Sequence, residues 1–393
     1  MLTATLAPGK EKRVQGGHPW VFRSDIAATA RDSDWSAAAP LAEVRASNGR
    51  FLARAMYNPA SQIALRVLSR EDEPIDERFF QKRVERAVSL RRRFSGFDAC
   101  RLVFAESDGL PAFIADRFGE VIAVQSLALG IEPYKGWITA ALIDQTGVAN
   151  VWERSDAPVR ALEGLPMTSA ILSGSVPDTV RFSENGLNML ADVKNGQKTG
   201  YFLDQKENRA SIAPYVGGAR VLDCFTHTGS FAIHAARYGA AEVMGVDVSR
   251  EALDLARENA RLNGVEDRVR FEAANAFDYL RARQSGALEV IILDPPAFTK
   301  SRAALDSALR GYKEINLRAM KLLADGGILI TCSCSQHVSA DEFGAMLHAA
   351  ARDAKRTMRV LEKRGAGRDH PVLMGARETE YLKFWITQIS KQG

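Results

Sequence analysis

The sequence predicts a mixed α/β chain that ends in a doubly wound, mostly parallel sheet, and three observations predict it. Beyond about residue 191, strand-like and helix-like segments alternate, the pattern of a parallel sheet covered on both faces. Within that stretch an apolar start, Val221-Leu222, runs into a small-residue turn and a helix from Ser230 to Tyr238. A second strand, Val243 to Asp247, then ends in an acid. Ahead of this half, short strand-like runs separated by turn signals mark a small β-rich unit.

The elements follow in chain order. Residues 1–72 read as the small β-rich domain, with strands at Ala42 to Ala46, Phe51 to Tyr57 and Ile63 to Leu68, separated by Asn48-Gly49 and Asn58-Pro59. Glu71-Asp-Glu-Pro74 marks its boundary. Residues 73–190 read as a small α+β central domain. It opens with a basic helix, Glu77 to Phe94, apolar on one side through Phe80, Val84, Ala87, Val88 and Leu90 and ending in Arg91-Arg92-Arg93. Arginines in a last turn complement the helix dipole, so this triplet serves a helix end as readily as an RNA contact. Extended segments are expected at Leu110 to Arg117, Val121 to Leu127, Asn150 to Arg154 and Thr179 to Glu184, with a helix from Tyr134 to Ile143. Asp108-Gly109 and Arg117-Phe118-Gly119 are turn signals, and nothing in this domain carries obvious chemistry.

Residues 191–393 carry the chemistry. The acid at the end of the second strand, Asp247, suits a ribose diol, because a carboxylate accepts two hydroxyl hydrogen bonds. The preceding turn is Asp223-Cys-Phe-Thr-His-Thr-Gly229, not the glycine pattern that wraps a pyrophosphate. Gly229 lets backbone approach a ligand. A cofactor with a nucleoside and an amino acid but no phosphate tolerates Asp223 there, and S-adenosylmethionine is such a cofactor. The alternative at this point is an ordinary βαβ unit with an incidental acid. Ser249 caps the helix through Asn263, with Glu251 in its first turn and Gly264 beyond its end. The apolar strand Val290 to Leu293 stops at Asp294-Pro295-Pro296, because proline cannot continue a central strand. Gly326-Gly327 is expected to end a helix running from about Leu309 to Leu323. The next strand, Ile328 to Thr331, then delivers Cys332 and Cys334 to the sheet edge that holds Asp294.

Bulk properties bound the rest. At 393 residues the chain is too long for one core. With 46% hydrophobic and 25% charged residues it has no disorder signature. No apolar run suits a membrane span, and Met1 to Lys10 lacks a signal-peptide pattern, so no membrane association is expected. Four cysteines in such a length make no disulfide framework, which points to a reduced cytoplasm. Residues 1–101 carry 18 Lys and Arg against 12 Asp and Glu, whereas the remainder carries 34 against 36. The basic excess thus sits at the N-terminal end, as suits a nucleic-acid partner; a mildly basic solvated surface is the plain alternative.

Taken together, Gly196-Gln-Lys-Thr-Gly-Tyr-Phe-Leu-Asp-Gln205, the Asp223 turn, Asp294-Pro-Pro-Ala-Phe298, Gly311-Tyr-Lys-Glu-Ile-Asn316, Ser333-Cys-Ser335 and Gly17-His-Pro-Trp-Val-Phe22 form an ordered set. In that order they resemble the class I methyltransferases with an N-terminal PUA domain that make 5-methylcytosine in bacterial 23S ribosomal RNA. The resemblance spans essentially the whole chain. It implies a PUA-like domain in residues 1–72 and a Rossmann-like methyltransferase domain in 191–393. It also implies S-adenosylmethionine as cofactor and 23S rRNA as partner, and it leaves room for a homodimer.

Carbon 5 of cytosine is a poor nucleophile. A thiolate added at carbon 6 makes carbon 5 enamine-like, and an acid at the N3 edge steadies the ring. Asp294 and a cysteine are the expected catalytic pair, with a helix N-terminus or a cation near the thiol to lower its pKa. Strand alternation does not separate Cys332 from Cys334, since residues two apart face one side. The resemblance points to Cys334, in Ser333-Cys334-Ser335. A second family of RNA cytosine methyltransferases uses Thr-Cys-Ser, which would point to Cys332, but it carries Pro-Cys where this chain has Pro295-Pro296. The remaining reading of either cysteine is a small buried hydrophobe. Cys100 and Cys224 read as structural.

For the cofactor, Asp247 is expected at the ribose, with Asp223, Phe225 and Thr226 bordering the methionine end and Asp294 counted among the cofactor-binding residues. By resemblance, Asn275 stands near the adenine amino group, and Lys198, Tyr201, Phe202, Asp204 and Arg209 close over the cofactor; an amphipathic helix is the alternative there. Lys12, Arg13, His18, Trp20 and Arg23 are RNA-binding candidates through stacking and phosphate contact, although Trp20 and Phe22 also suit a domain core. Two other functions remain in view. One is methylation of an exocyclic amino group, for which the aromatic should follow Asp-Pro-Pro directly rather than after Ala297. The other is an inactive RNA-binding assembly factor.

Overall fold

A computed structural model describes residues 1–31, 40–94, 96–283, 288–299 and 301–392. The chain folds into two compact units. The first comprises Met1–Ser183, Ala191–Leu203 and Arg368–Thr379; the second comprises Glu184–Leu190, Asp204–Gly367 and Glu380–Gly393.

The first unit holds two sheets. Six strands stand in the order Trp20–Phe22, Ile63–Ser69, Phe51–Tyr57, Leu41–Arg45, Leu2–Leu6, Ile26–Arg31. Three of them, Leu2–Leu6, Trp20–Phe22 and Ile26–Arg31, went unread in the sequence. Leu2–Leu6 is half-buried in strict alternation, with Leu2, Ala4 and Leu6 inward. The helix Glu77–Arg92 starts where Asp76 accepts from the Phe79 amide at 2.9 Å, and it buries Phe80, Val84 and Val88. A second sheet runs Thr168–Ser173, Asn150–Ser155, Val121–Ser126, Phe113–Phe118, Ala99–Phe104. The extended segment expected from Leu110 begins only at Phe113, because Ala112 takes φ +60° in the turn before it.

Arg91 is no surface cation. It is 1% exposed and its guanidinium meets Asp108 at 2.6 and 2.8 Å. It also donates to the carbonyls of Arg101 and Asp369, at 2.9 and 2.8 Å.

The second unit is a seven-stranded sheet in the order Val269–Ala273, Glu242–Asp247, Arg220–Cys224, Leu288–Leu293, Leu323–Ser333, Lys383–Lys391, Arg356–Arg364. The first five run parallel, and Lys383–Lys391 is antiparallel to both its neighbours. Strand order reverses direction between Arg220–Cys224 and Leu288–Leu293, which places a topological switch point at their carboxyl ends. The core between helices and sheet includes Leu222, Ile291, Leu293, Tyr312, Ile315, Leu329 and Phe343.

One element is corrected. Gly326-Gly327 does not end a helix. The helix Leu305–Leu322 stops where Leu323 turns extended, and the glycines lie inside the strand Leu323–Ser333. Gly326 takes φ +79°, and the ladder with Leu288–Leu293 shifts between Leu288 and Val290. A glycine that bends a strand and a glycine that caps a helix look alike in sequence.

Candidate functional site

At the switch point the turn after Arg220–Cys224 is built on its own acid. Asp223 is fully buried, and its Oδ2 accepts from Thr226 Oγ1 at 2.5 Å and from the Ala232 amide at 3.1 Å. The turn is held to the next strand by Thr226 N on the Val246 carbonyl at 3.0 Å and His227 N on Asp247 Oδ2 at 2.9 Å. Phe225 and His227 both sit at positive φ, +65° and +51°. Two side-chain-bearing residues in the left-handed region mark a turn fixed by its surroundings. Gly229 begins the helix Ser230–Arg237, but the space beside it is filled: a Cβ there would meet the Phe271 ring at 2.8 Å and Ala256 at 3.0 Å. Its φ of +79° and this packing both demand glycine there.

The arrangement suits a cofactor that brings donors. Asp223 Oδ1 is buried without a hydrogen-bond partner among the described residues, and an amino or hydroxyl group would satisfy it. Burial pushes the Asp223 carboxyl up to about 7, despite the Thr226 hydrogen bond, and the charges of Asp294 and Asp247 act in the same direction as burial. Asp247, partly exposed at the end of its strand, accepts one backbone amide on each oxygen, from His227 and Ser249. Each oxygen keeps a lone pair for a ribose hydroxyl. Asn275 caps the helix Ala276–Ala282, its Oδ1 accepting from the Phe277 amide at 2.9 Å. Phe225 lies edge-on to Phe277, with centroids 6.5 Å apart.

On the other side of the switch point, Asp294 follows the strand Leu288–Leu293, its amide on the Cys224 carbonyl at 3.4 Å. Gln205 Nε2 donates to Asp294 Oδ1 at 3.0 Å. The structure separates the two cysteines that alternation could not. Cys332 lies in the strand at 0% exposure, and burial, reinforced by the charge of Asp294, pushes its thiol well up. The strand ends at Ser333, so Cys334 leaves the pleat. Cys334 is half-buried, with Sγ 3.7 Å from the Pro295 carbonyl. Cys100 and Cys224 are buried, and desolvation pushes the Cys224 thiol up.

Ser335, the residue after Cys334, is held from two sides. Tyr312 OH meets its Oγ at 2.9 Å, and the Lys383 ammonium donates to its carbonyl at 2.7 Å. Sequence reasoning missed Gln205, Tyr312 and Lys383 as site residues. Gln205 and Tyr312 lay within quoted motifs, but Lys383 comes from the last strand, with no local spacing to betray it.

Other expected residues have definite partners. Asp204 is 4% exposed and accepts from Tyr381 OH at 2.5 Å. Arg209 is paired in a buried fork with Glu184 at 2.6 and 2.8 Å. In the first unit, the Lys198 ammonium lies 4.7 Å over the Phe202 ring, and Tyr201 packs edge-on to Phe182.

Among the RNA candidates, Lys12 is exposed. Arg13 lies 4.4 Å over the Phe22 ring, and Arg23 donates to the carbonyls of Ala60 and Ser61. His18 Nδ1 accepts from the Trp20 amide at 3.1 Å, and its Nε2 lies 2.9 Å from Arg13 Nη2 and 3.4 Å from Glu378. Burial and the Arg13 charge hold the His18 pKa below its ordinary value. Trp20 donates to Glu106 at 2.9 Å and has Arg66 over its ring at 5.8 Å. Trp20 and His18 are thus tied into the first unit. Among the described residues no helix is long and apolar enough to cross a membrane, and no cluster of metal-ligating side chains occurs.

Comparison with known proteins yields a consistent set. Residues 135–381 match the S-adenosylmethionine-dependent methyltransferase family, and residues 4–70 match a PUA-like domain. The chain is 40% identical to the ribosomal RNA large subunit methyltransferase I of Shewanella amazonensis, over 98% of both chains. It is 39% identical to the Escherichia coli O139:H28 protein of that name, over the same share. A Streptococcus mutans structure described as a SAM-dependent methyltransferase superposes with TM-score 0.82 at 19% identity, covering 99% of this chain and all of that one. A methyltransferase structure complexed with SAH gives 0.84 at the same identity and coverage. At such identity these two speak for the fold.

Proposed function

The chain belongs to the S-adenosylmethionine-dependent methyltransferases, within the ribosomal RNA large subunit methyltransferase I group, and from that membership we propose that it methylates carbon 5 of a cytosine in 23S ribosomal RNA. The observation that carries this reading is Cys334. It is the one cysteine of four that is not buried, and it stands beside the Asp294-Pro295 corner at the carboxyl edge of the sheet.

S-adenosylmethionine, when bound, supplies a methyl group on a positively charged sulfur. Asp247 would hold its ribose and Asp223 its amino acid end, with Phe225, Thr226 and Asn275 lining the remainder. Phe202 and Asp204 belong to the segment we assign to its closure. The chain's own residues then act on the base. The Cys334 thiolate adds to carbon 6, and the electron pair moves onto carbon 5. Asp294, oriented by Gln205, acts in its protonated form: it gives its proton to N3 as negative charge develops on the ring and takes it back when the thiolate departs. Once carbon 5 is substituted, a base removes its proton, the ring double bond re-forms and the thiolate departs.

Exocyclic-amino methylation is less well supported. Phe298, the aromatic after Asp294-Pro295-Pro296-Ala297, packs into the core against Tyr312 at 4.5 Å and Phe277 at 5.8 Å. The PUA-like domain and its exposed Lys12 are assigned to RNA affinity, with the remaining candidates shaping that surface. The natural setting for this substrate is the cytoplasm.

The test is direct. Undermethylated 23S rRNA is incubated with labelled S-adenosylmethionine, and its nucleosides are separated and weighed. Labelled 5-methylcytidine is expected. Label on an exocyclic nitrogen, or no transfer at all, would overturn the reading.

A further inference from the structure

Within that reading, which names Cys334 as the nucleophile, we propose that Lys383 is the positioning residue for it: the buried ammonium, seated on the carbonyl next to Cys334, fixes the turn that presents the thiol and favours its anionic form.

Lys383 opens the strand Lys383–Lys391 and is only 6% exposed. Its Nζ donates to the Ser335 carbonyl and to the Tyr381 carbonyl, both at 2.7 Å. A lysine ammonium has three donors, so these two neutral acceptors neither balance its charge nor exhaust its protons. Among the described residues no carboxylate pairs with it; a buried cation so placed is costly, and such groups are retained where their field has a use. Ser335 is at the same time held through its hydroxyl by Tyr312. Ser333 and Ser335 are both fully buried, so the half-buried Cys334 is presented from an otherwise anchored corner.

The electrostatic surroundings agree. Burial pulls the Lys383 pKa down to about 8, and negative charge on Cys334, Glu380 and Glu342 pushes back. Among the described residues the Tyr312 phenol and the Cys332 thiol also feel Cys334, and Asp294 acts on Cys332 both by its charge and through a side-chain hydrogen bond. Arg302 and Lys383 both act on Glu342. Lys383 is thus, among the described residues, a buried cation coupled to Cys334, with Glu380 and Glu342 acting on it as well. Ionisation sends the thiol proton to solvent, while the ammonium keeps its own.

The experiment reads Cys334 without RNA or cofactor, so its outcome is separate from that of the methylation assay. Iodoacetamide alkylation of Cys334 is followed by peptide mass spectrometry across pH, the other three cysteines being buried. The plateau rate at high pH reports access; the midpoint reports charge. In Lys383→Met the midpoint should rise by about one pH unit, which lowers the rate at pH 7 roughly tenfold, and Lys383→Arg should restore it. A shifted plateau with an unchanged midpoint would reduce Lys383 to a structural tie and overturn the charge role. Should Lys383→Met fail to fold, NMR of carbon-labelled lysine decides the matter on folded protein. The Lys383 pKa should fall further in Cys334→Ala than in the unaltered chain, because coupled groups act on each other reciprocally. Equal values in the two proteins would refute the pairing.

Discussion

Gln205 clamps Asp294: its amide nitrogen donates to Asp294 Oδ1 at 3.0 Å, while its amide oxygen is fixed by Asn208 Nδ2 at 2.7 Å. Asn208 is itself anchored on the Gly365 carbonyl at 2.9 Å. The chain of amides holds Oδ1 of the carboxyl group that is proposed to meet the base.

Replacing Gln205 by leucine removes that clamp without touching the cofactor turn. The kcat for cytosine methylation should fall roughly 10- to 100-fold, the usual cost of a misdirected group, with cofactor affinity little altered. Steady-state kinetics beside calorimetry would check both halves. An unchanged kcat would show that Asp294 needs no orientation.

Asp247 is proposed to hold the ribose of the cofactor. Asp247→Ala should weaken S-adenosylmethionine binding by roughly 1–3 kcal/mol through lost charge-assisted hydrogen bonds. Part of that loss comes from the turn, since Asp247 also accepts from the His227 amide. Calorimetric affinity equal to that of the unaltered chain would remove Asp247 from the site.

Two buried groups in the second unit should nearly cancel in the pH dependence of stability. His234 is fully buried, its Nδ1 on the Ser230 carbonyl at 2.7 Å, and burial holds its pKa down at about 4 against an ordinary 6.5. Its contribution is complete above 6.5 and is lost as pH falls towards 4. Asp223, pushed up to about 7 from 3.8, does the opposite: its proton-linked contribution is complete below 3.8 and is lost as pH rises through 7. Between about 4.5 and 6.5 each contributes about 1.4 kcal/mol per pH unit, with opposite signs. Asp223→Asn should therefore steepen the rise of stability over that range relative to the unaltered chain. Urea unfolding of both proteins at pH 5 and 6.5 measures it. Parallel profiles would deny the Asp223 shift.

Arg91 closes the Glu77–Arg92 helix from inside. Arg91→Met leaves Asp108 without its guanidinium and frees the Asp369 carbonyl, for a loss of about 3–5 kcal/mol. RNA affinity and its salt slope should stay as they were, since Arg91 does not reach solvent. Thermal melts and binding titrations at two salt concentrations would show the split. A flatter salt slope in the variant would mean that Arg91 meets phosphate after all.

What the sequence revealed depended on how local each signal was. The Asp223 turn, the Asp247 strand end and the Asp294-Pro295 corner were readable because an apolar run, a break and an acid stand together in a few residues. The Ser249 cap was readable for the same reason, and its Oγ accepts from the Ala252 amide at 3.1 Å. Gly326 was misread because its φ of +79° serves a strand bend as well as a helix end. Lys383 was invisible because its meaning comes from an antiparallel strand that returns beside Leu323–Ser333, pairing Ser333 with Lys383 itself. Strand period left Cys332 and Cys334 alike and the resemblance alone favoured Cys334; their difference in burial depends on where the strand stops, and such boundaries are set by tertiary packing rather than by period.

That boundary carries the decisive prediction. Cys332 is sealed in the sheet with its thiol pushed well up, whereas Cys334 lies just past the strand end, next to the Pro295 carbonyl and the Lys383-held Ser335. Cys334→Ala should abolish methylation of cytosine carbon 5 and leave cofactor binding nearly intact, because no remaining group gives carbon 5 nucleophilic character. Cys332→Ala should keep substantial activity and lose about 1 kcal/mol or so of stability, the cost of a small cavity in the sheet. RNA carrying 5-fluorocytosine should become covalently attached, since fluorine at carbon 5 cannot leave as a proton and the adduct persists. Peptide mapping should place the bond on Cys334, and Asp294→Asn should slow its formation. An adduct on Cys332, or an active Cys334→Ala enzyme, would move the nucleophile elsewhere, and the reason would have to lie in motion that opens the strand end.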